Sequence, residues 1–319
     1  MSDVTRALTG AVTVAGRAPS IHNTQPWRFV VDGDRLDLHT EPSRQLRELD
    51  PEGHMMLVSC GAALHHAVVA LAAEGWHAEV ERTGAPEGAV ASVRVTGPGE
   101  PDPHAVRRVA AVPRRHTDRR PVAPVPVPPD ALAAVTDAVT GTGLRIHVLQ
   151  PKQVVELAVA VDRALRAEGS DDRQRAELAG WVGGAREAGT GVPDAAIPRS
   201  APETTVPGRD FGVDGTLTVP TGHDERAVHA VIYGTGDRPV DWLRAGEALS
   251  AAWLDAVDNG LTLLPESSPA EIASTRLLLR QLVSHVGYPY LVVRLGVAHD
   301  ETTTTGTPRL PAPEIVELR

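Results

Sequence analysis

Residues 19–27 read PSIHNTQPW, and residues 28–40 continue as RFVVDGDRLDLHT. Pro19 and Pro26 fix their own φ and push Ala18 and Gln25 toward extended backbone. Between them Ser20, His22, Asn23, Thr24 and Gln25 offer donors and acceptors that no regular ladder would use. The following stretch alternates and turns at Asp32-Gly33, so it predicts a hairpin with Trp27 at its root. Two readings of the loop stand open at this point. It is a rigid polar platform for a ligand, or Asn23 and Gln25 only satisfy buried backbone.

The rest of the 319-residue chain sets the frame for that loop. Its length predicts two domains or one large one. Hydrophobic residues make up 42% and charged residues 23%, an ordinary globular balance, and the net charge of −10 argues against a nucleic-acid or anionic-membrane surface. Cys60 stands alone in an apolar run, which excludes an intramolecular disulfide and predicts a small buried hydrophobe in a reducing compartment. With no apolar leader and no uninterrupted membrane-length apolar window, the expected location is the cytoplasm.

Hydrophobic periodicity gives a short N-terminal helix, the hairpin, and a long apolar helix over 51–74 with Pro51 and Glu52 in its first turn. WHAEVERT and ASVRVTG read as a second hairpin. The chain turns polar near residue 102 and passes through the proline-rich PVAPVPVPPD, so the boundary is placed there, between halves 1–102 and 103–319. The second half reads as a helix at 130–140, the strand GLRIHVL, two helices over 151–188, the strand AVHAVIYGT, helices at 240–259 and 269–284, and the strand YPYLVVRLGV. Residues 189–225 carry Gly, Pro and Thr without periodicity, the pattern of a lid or binding loop. Helices mixed with antiparallel hairpins give an α+β class.

Two further constellations could carry chemistry. Arg114, Arg115, His116, Thr117, Arg119 and Arg120 crowd cations and a hydroxyl into seven residues of an acidic chain, a natural anion site or else a solvated basic turn. Arg309, between two prolines, is a weaker instance. The run LTLLPESSP after Asn259-Gly260 reads as a turn with free backbone donors at Glu266, Ser267 and Ser268. His54, His65 and His66 lack metal-ligand spacing, so no metal is expected. No phosphate-binding glycine loop and no nucleophile elbow is present, and no catalytic acid or base stands out.

Together these motifs resemble the flavin-dependent nitroreductase family. PSIHNTQPW is similar to the family loop that packs on the flavin, RRHTDRRPV to the phosphate motif, NGLTLLPESS to the segment facing the reactive ring edge, and YPYLVVRLG with PRLPAPEIVEL to the C-terminal strand and tail. The resemblance implies FMN held by Arg115, His116 and Thr117 with Arg309 at the phosphate and Arg119 toward the pyrimidine side. It implies Pro19, Ser20, Asn23 and Gln25 against the flavin from the first half. Ile21 stands where many members have a second serine. Pro265 and Glu266, flanked by Leu264 and Ser267, would face the ring edge.

The order of the motifs departs from ordinary members, because Asn23 precedes Arg115 instead of following it. The resemblance therefore points to a tandem fusion of two units, a pseudo-dimer that keeps one flavin site, as in the Acg-like subgroup. A monomer is expected, since the fusion supplies the usual dimer interface. The activity implied is transfer of electrons from NADPH or NADH through FMN to a small-molecule acceptor such as a nitroaromatic or quinone. The alternative is a protein that sequesters FMN beneath the 189–225 lid and reacts little with nicotinamides.

Overall fold

The alternating stretch after Trp27 forms the expected hairpin in the computed structural model, which describes residues 2–85, 87–183, 189–299 and 306–319. Strands β1 (Trp27–Asp32) and β2 (Arg35–Thr40) pair antiparallel. Gly33, at φ 59°, sits in the turn, in the left-handed region that glycine enters without steric cost. Ahead of them α1 (Asp3–Ala15) is N-capped by Ser2, whose side chain accepts the Thr5 N–H. Helix α2 (His54–Ala73) starts later than Pro51 suggested. Gly53 adopts a left-handed conformation, and the Asp50 carboxylate accepts the Met56 N–H at 2.9 Å, so the helix is capped from outside its first turn. By length and apolar character α2 could cross a membrane, yet its side chains are almost all buried in protein, which accounts for its composition. Strands β3 (Trp76–Arg82) and β4 (Ala89–Pro98) form the second hairpin.

Beyond residue 102 the sequence reading omits α3 (Pro103–Ala111), although Asp102 caps it through the His104 N–H at 2.9 Å and Pro103 occupies its first turn. There follow α4 (Pro129–Thr140), β5 (Arg145–Val148), α5 (Pro151–Ser170), α6 (Asp172–Trp181), β6 (Val228–Gly234) and α7 (Pro239–Asp258). The run LTLLPE is a strand, β7 (Leu261–Glu266), not the expected turn. Its buried Leu261 and Leu263 pair across to β8 (Tyr288–Val297), and Pro265 is tolerated because β7 is an edge strand. The helix expected over 269–284 is divided into α8 (Ser268–Glu271) and α9 (Ala273–Leu282). The tail ends in α10 (Ala312–Ile315) and β9 (Val316–Leu318).

Two sheets result, one ordered β3-β4-β2-β1-β9 and the other β5-β6-β8-β7. The chain's last strand leaves the second half and pairs parallel with β1, Val316 opposite Phe29, so the tail is stitched into the first-half sheet. One hydrophobic core runs through both halves, from Leu8 and Phe29 to Trp242 and Leu295.

At its centre α2 crosses α7 with backbones in contact. A Cβ on Gly61 would lie 1.9 Å from the Leu243 carbonyl oxygen, and one on Gly246 would lie 1.9 Å from that of Val58. Below the crossing Ser250 Oγ lies 2.8 Å from His65 Nδ1 and 2.9 Å from His66 Nδ1. Burial pushes the His65 pKa down to about 3 and that of His66 well below its ordinary value, so both rings are neutral struts. Gly246→Ala is expected to destabilise the fold by about 1–3 kcal/mol despite alanine's better helix propensity, because overpacking against backbone cannot be relieved by a rotamer change. Urea unfolding measures it, and a stabilised variant would contradict the close crossing.

Candidate functional site

The PSIHNTQPW loop is wound tightly instead of extended. His22, Asn23 and Gln25 all have positive φ, at 42°, 56° and 50°, so Gln25 defies the bias that Pro26 imposes on it. Non-glycine residues in this region are held there by their surroundings. Ser20 Oγ accepts the Gln25 N–H at 2.9 Å, Ser59 Oγ on α2 accepts that of Ile21 at 3.1 Å, and Arg44 donates to the Gln25 carbonyl at 3.1 Å. Cys60, buried and with its thiol pKa raised by burial, donates to the Pro26 carbonyl.

The two amide side chains divide between the two readings left open by the sequence. Gln25 is fully buried and spent on backbone: Nε2 donates to the Gly189 carbonyl at 2.6 Å, and Oε1 accepts the Leu310 N–H at 3.0 Å. It does not line the cavity described below, which corrects its expected place against a ligand. Asn23 donates to the carbonyls of Gly191 and Pro308, but its Oδ1 accepts from Arg309 Nη1 at 2.9 Å. Because a guanidinium only donates, this bond also fixes which end of the amide is oxygen. The loop thus ties the tail and the start of segment 189–225 together and aims an arginine.

Beside the loop lies a cavity of about 580 Å³, within the range of small-molecule and cofactor sites. It is lined by Pro19, Ser20, Ile21, His22 and Asn23, by Met55, Val58 and Ser59 of α2, by Leu249 and Trp253 of α7, and by Arg115, His116, Thr117 and Arg119. Leu264, Pro265, Glu266 and Ser267 at the end of β7, and Arg309 from the tail, complete one side. Thirteen of the fourteen residues that the resemblance assigns to the flavin site therefore surround one space, with Gln25 the exception.

The electrostatics of that space are lopsided. Arg115 is 8% exposed and lies with its guanidinium carbon 4.6 Å from the Trp253 ring centroid, and among the described residues its side chain makes one hydrogen bond, to the Arg17 carbonyl at 3.3 Å. Its Nε and that of Arg309 are buried without partners among the described residues, as is His116 Nε2. Among the described residues none of Arg115, Arg119 and Arg309 is ion-paired with a carboxylate, whereas the nearby Arg120, Arg209 and Arg294 all are. Burial pushes the Arg115 pKa down to about 9, with Arg309 adding repulsion, and holds Arg119 and Arg309 at about 10. Guanidiniums that have lost water without gaining a counter-charge make a site for an anion.

Segment 189–225 forms the remaining wall and is not structureless. It carries a short 3₁₀ turn at Asp194–Ala196 and isolated bridges, and Val192, Ile197 and Phe211 pack with Leu46, Leu49 and Leu178. Its Arg209 was not singled out from the sequence, yet it bonds four groups on three elements. It donates to Glu168 Oε1 and Glu271 Oε1 at 3.0 Å each, to Ser268 Oγ, and to His22 Nε2 at 2.6 Å. The last bond requires His22 to be neutral with its proton on Nδ1, in keeping with a pKa held well below its ordinary value by burial and by Arg209 and Arg119. Arg119 donates to the Ala196 carbonyl at 2.9 Å and sits 5.0 Å from the Phe211 ring centroid, which binds the segment to the arginine-rich motif. Trp253 and Phe211 were missed as well, for both look like core residues in the sequence.

No protein-family model matches the chain. A protein of Mycobacterium tuberculosis (strain ATCC 25618 / H37Rv) named "Putative NAD(P)H nitroreductase Rv3131" is 38% identical over 313 residues, covering 96% of this chain and 90% of the relative. Another from the same strain, named "Putative NAD(P)H nitroreductase acg", is 34% identical over 325 residues, covering 99% and 96%. The solved structure of an FMN and NADPH-dependent nitroreductase, NfnB from sphigopyxis sp. strain HMH, aligns over 66% of this chain and 98% of its own at 16% identity, with a TM-score of 0.42.

Proposed function

The chain belongs to the NAD(P)H nitroreductase family, and on that premise we propose that it is an FMN-binding oxidoreductase that passes electrons from NADPH or NADH to a small electron-poor acceptor, a nitroaromatic or a quinone. The observation that carries the reading is the set of guanidiniums around one cavity, Arg115 buried and Arg119 and Arg309 half-buried, that have no carboxylate partner among the described residues. A phosphate monoester supplies the missing charge, and the cavity volume suits a tricyclic ring system beside it.

In this reading Arg115 and Arg309 hold the phosphate, with His116 and Thr117 adding donors. Arg119 places a cation where negative charge accumulates at the far side of the ring. Pro19, Ser20, Ile21 and Asn23 pack from the loop, and Leu264, Pro265, Glu266 and Ser267 close the opposite side. Bound there, FMN would supply the redox chemistry that links a nicotinamide donor to the acceptor. The residues' part is to bind, orient and exclude water, and the packed segment 189–225 serves that exclusion.

The pseudo-dimeric arrangement, with halves 1–102 and 103–319, belongs to the same proposal. It is supported by α2 and α7, each of 20 residues, which cross at paired glycines and are each followed at once by a strand. The same spacing of 185 residues relates His65 to Ser250 and the start of α2 to the start of α7. A monomer with a single site, located in the cytoplasm, follows from that reading and from the lone buried Cys60.

A second reading, sequestration of FMN, is favoured by one observation: Arg209 ties the segment over the cavity to α5, α8 and the loop through buried bonds. Anaerobic mixing of the FMN-loaded protein with NADPH or NADH separates the two. Rapid bleaching of the flavin absorbance is expected for the oxidoreductase. A spectrum that stays oxidised after prolonged mixing would transfer the assignment to sequestration.

A further inference from the structure

The end of β7, which closes one side of the cavity, carries an acid whose carboxyl proton the binding scheme does not use. Glu266 lines the cavity beside Leu264, Pro265 and Pro269, and its Oε2 is buried without a hydrogen-bond partner among the described residues. Its charged surroundings are the guanidinium of Arg294, on β8, and the carboxylate of Asp224, which closes segment 189–225. Arg294 is already engaged: Nη1 pairs with Asp224 Oδ2 at 3.2 Å, and Nη2 donates to the carbonyls of Asp118 and Arg120 at 3.0 and 2.7 Å. His229 on β6 lies opposite Arg294 and is neutral, its pKa lowered to about 4 by burial and by Arg294. Two carboxylates therefore share one guanidinium, and Asp224, whose side chain is 0% exposed, has taken it. An ionised Glu266 would be a surplus buried charge, whereas the neutral acid is an O–H donor on the cavity wall.

We propose that Glu266 donates the proton taken up by the acceptor's oxygen as that oxygen is reduced. The inference rests on the oxidoreductase reading above. Burial pushes the carboxyl pKa up to about 8 against the pull of Arg294, so the acid form prevails at neutral pH. For a quinone the balance is quinone + NAD(P)H + H⁺ → hydroquinone + NAD(P)⁺. The hydride equivalent originates in the nicotinamide, the carbonyl π pair moves onto oxygen, and the Glu266 O–H bond breaks as the new O–H bond forms. Solvent then reprotonates the carboxylate. Among the described cavity residues, His22 is held neutral by Arg209, His116 has its Nδ1 bonded to the Arg114 carbonyl at 2.9 Å, and the arginines retain their protons.

Infrared difference spectroscopy of the whole protein tests the proton itself. A protonated carboxylic-acid C=O component that fades as pH rises through about 8 is expected, and Glu266→Gln should lose that component while leaving those of Asp50 and Glu168, whose pKa values burial also raises. In Glu266→Gln, reoxidation by benzoquinone is expected to slow about 100-fold relative to that variant's own rate of bleaching by NAD(P)H and to lose its alkaline fall. Absence of that component in the unmodified protein overturns the proposal, and so does a Glu266→Gln protein that reduces benzoquinone at the unmodified rate. The pH titration of the unmodified protein keeps the test valid if the variant does not fold. Failure of the unmodified protein to bind FMN is a separate outcome that sinks the oxidoreductase reading, and the component is read in that case too.

Discussion

Replacing both Arg115 and Arg309 by alanine is expected to weaken FMN binding by about 10³-fold or more, so that the protein is purified colourless. Arg115 is buried and Arg309 half-buried, neither has a carboxylate partner among the described residues, and each has a buried Nε without a partner there. Charge-assisted bonds to phosphate contribute about 1.5–3 kcal/mol apiece, and two arginines offer several, so a loss of at least about 4 kcal/mol of binding is the arithmetic consequence. The fold should survive, because neither arginine has an ion-pair partner to orphan. A cooperative thermal melt of the double variant is the control, and titration with FMN followed by flavin fluorescence is the measurement. Undiminished affinity would remove the phosphate role.

The second large effect falls on stability. Arg209→Ala leaves Glu168 and Glu271 buried together, with side-chain exposures of 8% and 2%, and removes the cation between them. Breaking a buried pair from one side costs about 3–5 kcal/mol, and here two acids lose one partner. The pH dependence has a definite sign. Burial already raises the Glu168 pKa, and an acid whose folded value lies above its unfolded value stabilises the fold below the unfolded pKa and loses that contribution as pH rises through the folded one. Without Arg209 the pull that lowers the Glu168 pKa is lost and that pKa moves further up, so the deficit should be largest at neutral and alkaline pH and should shrink on acidification. Urea unfolding with hydrogen exchange across 189–225 checks it, and adding Glu168→Gln and Glu271→Gln should recover much of the loss. A pH-independent cost below about 1 kcal/mol would mean that the network is not holding the segment.

Much of the site could be read from PSIHNTQPW, RRHTDRR and PRLP, because proline punctuation and clustered arginines are local signals that survive without knowledge of the fold. What escaped was of three kinds. Backbone conformation escaped because tertiary contacts overrode a local rule: Pro26 disfavours the left-handed backbone that Ser20 and Arg44 nevertheless hold at Gln25. Edge-strand identity escaped at LTLLPE, where a proline and the flanking serines look like a turn until β8 supplies a partner. Long-range partnerships escaped altogether. Arg209 meets Glu168, Glu271 and His22 across 41, 62 and 187 residues of chain, and nothing in the run Pro207-Gly208-Arg209 foretells it.

The division of labour between Asn23 and Gln25 illustrates the same limit. Both are buried amides two residues apart, alike in sequence terms, and only the structure separates the one that orients Arg309 from the one that fastens loop, tail and segment 189–225 together. The fold class was legible because helix and hairpin periods are strong in this chain. The return of β9 to the first sheet was not, since three residues of strand at the end of a chain carry too little pattern to announce their partner.

The central claim is that the unpaired guanidiniums exist to hold the phosphate of a flavin. Isothermal titration of the unmodified protein with FMN and, separately, with riboflavin tests it most directly, because the two ligands differ only in that phosphate. The account predicts one FMN per chain and riboflavin bound about 10²-fold or more weakly. Equal affinity for the two, or no binding of either, would contradict it.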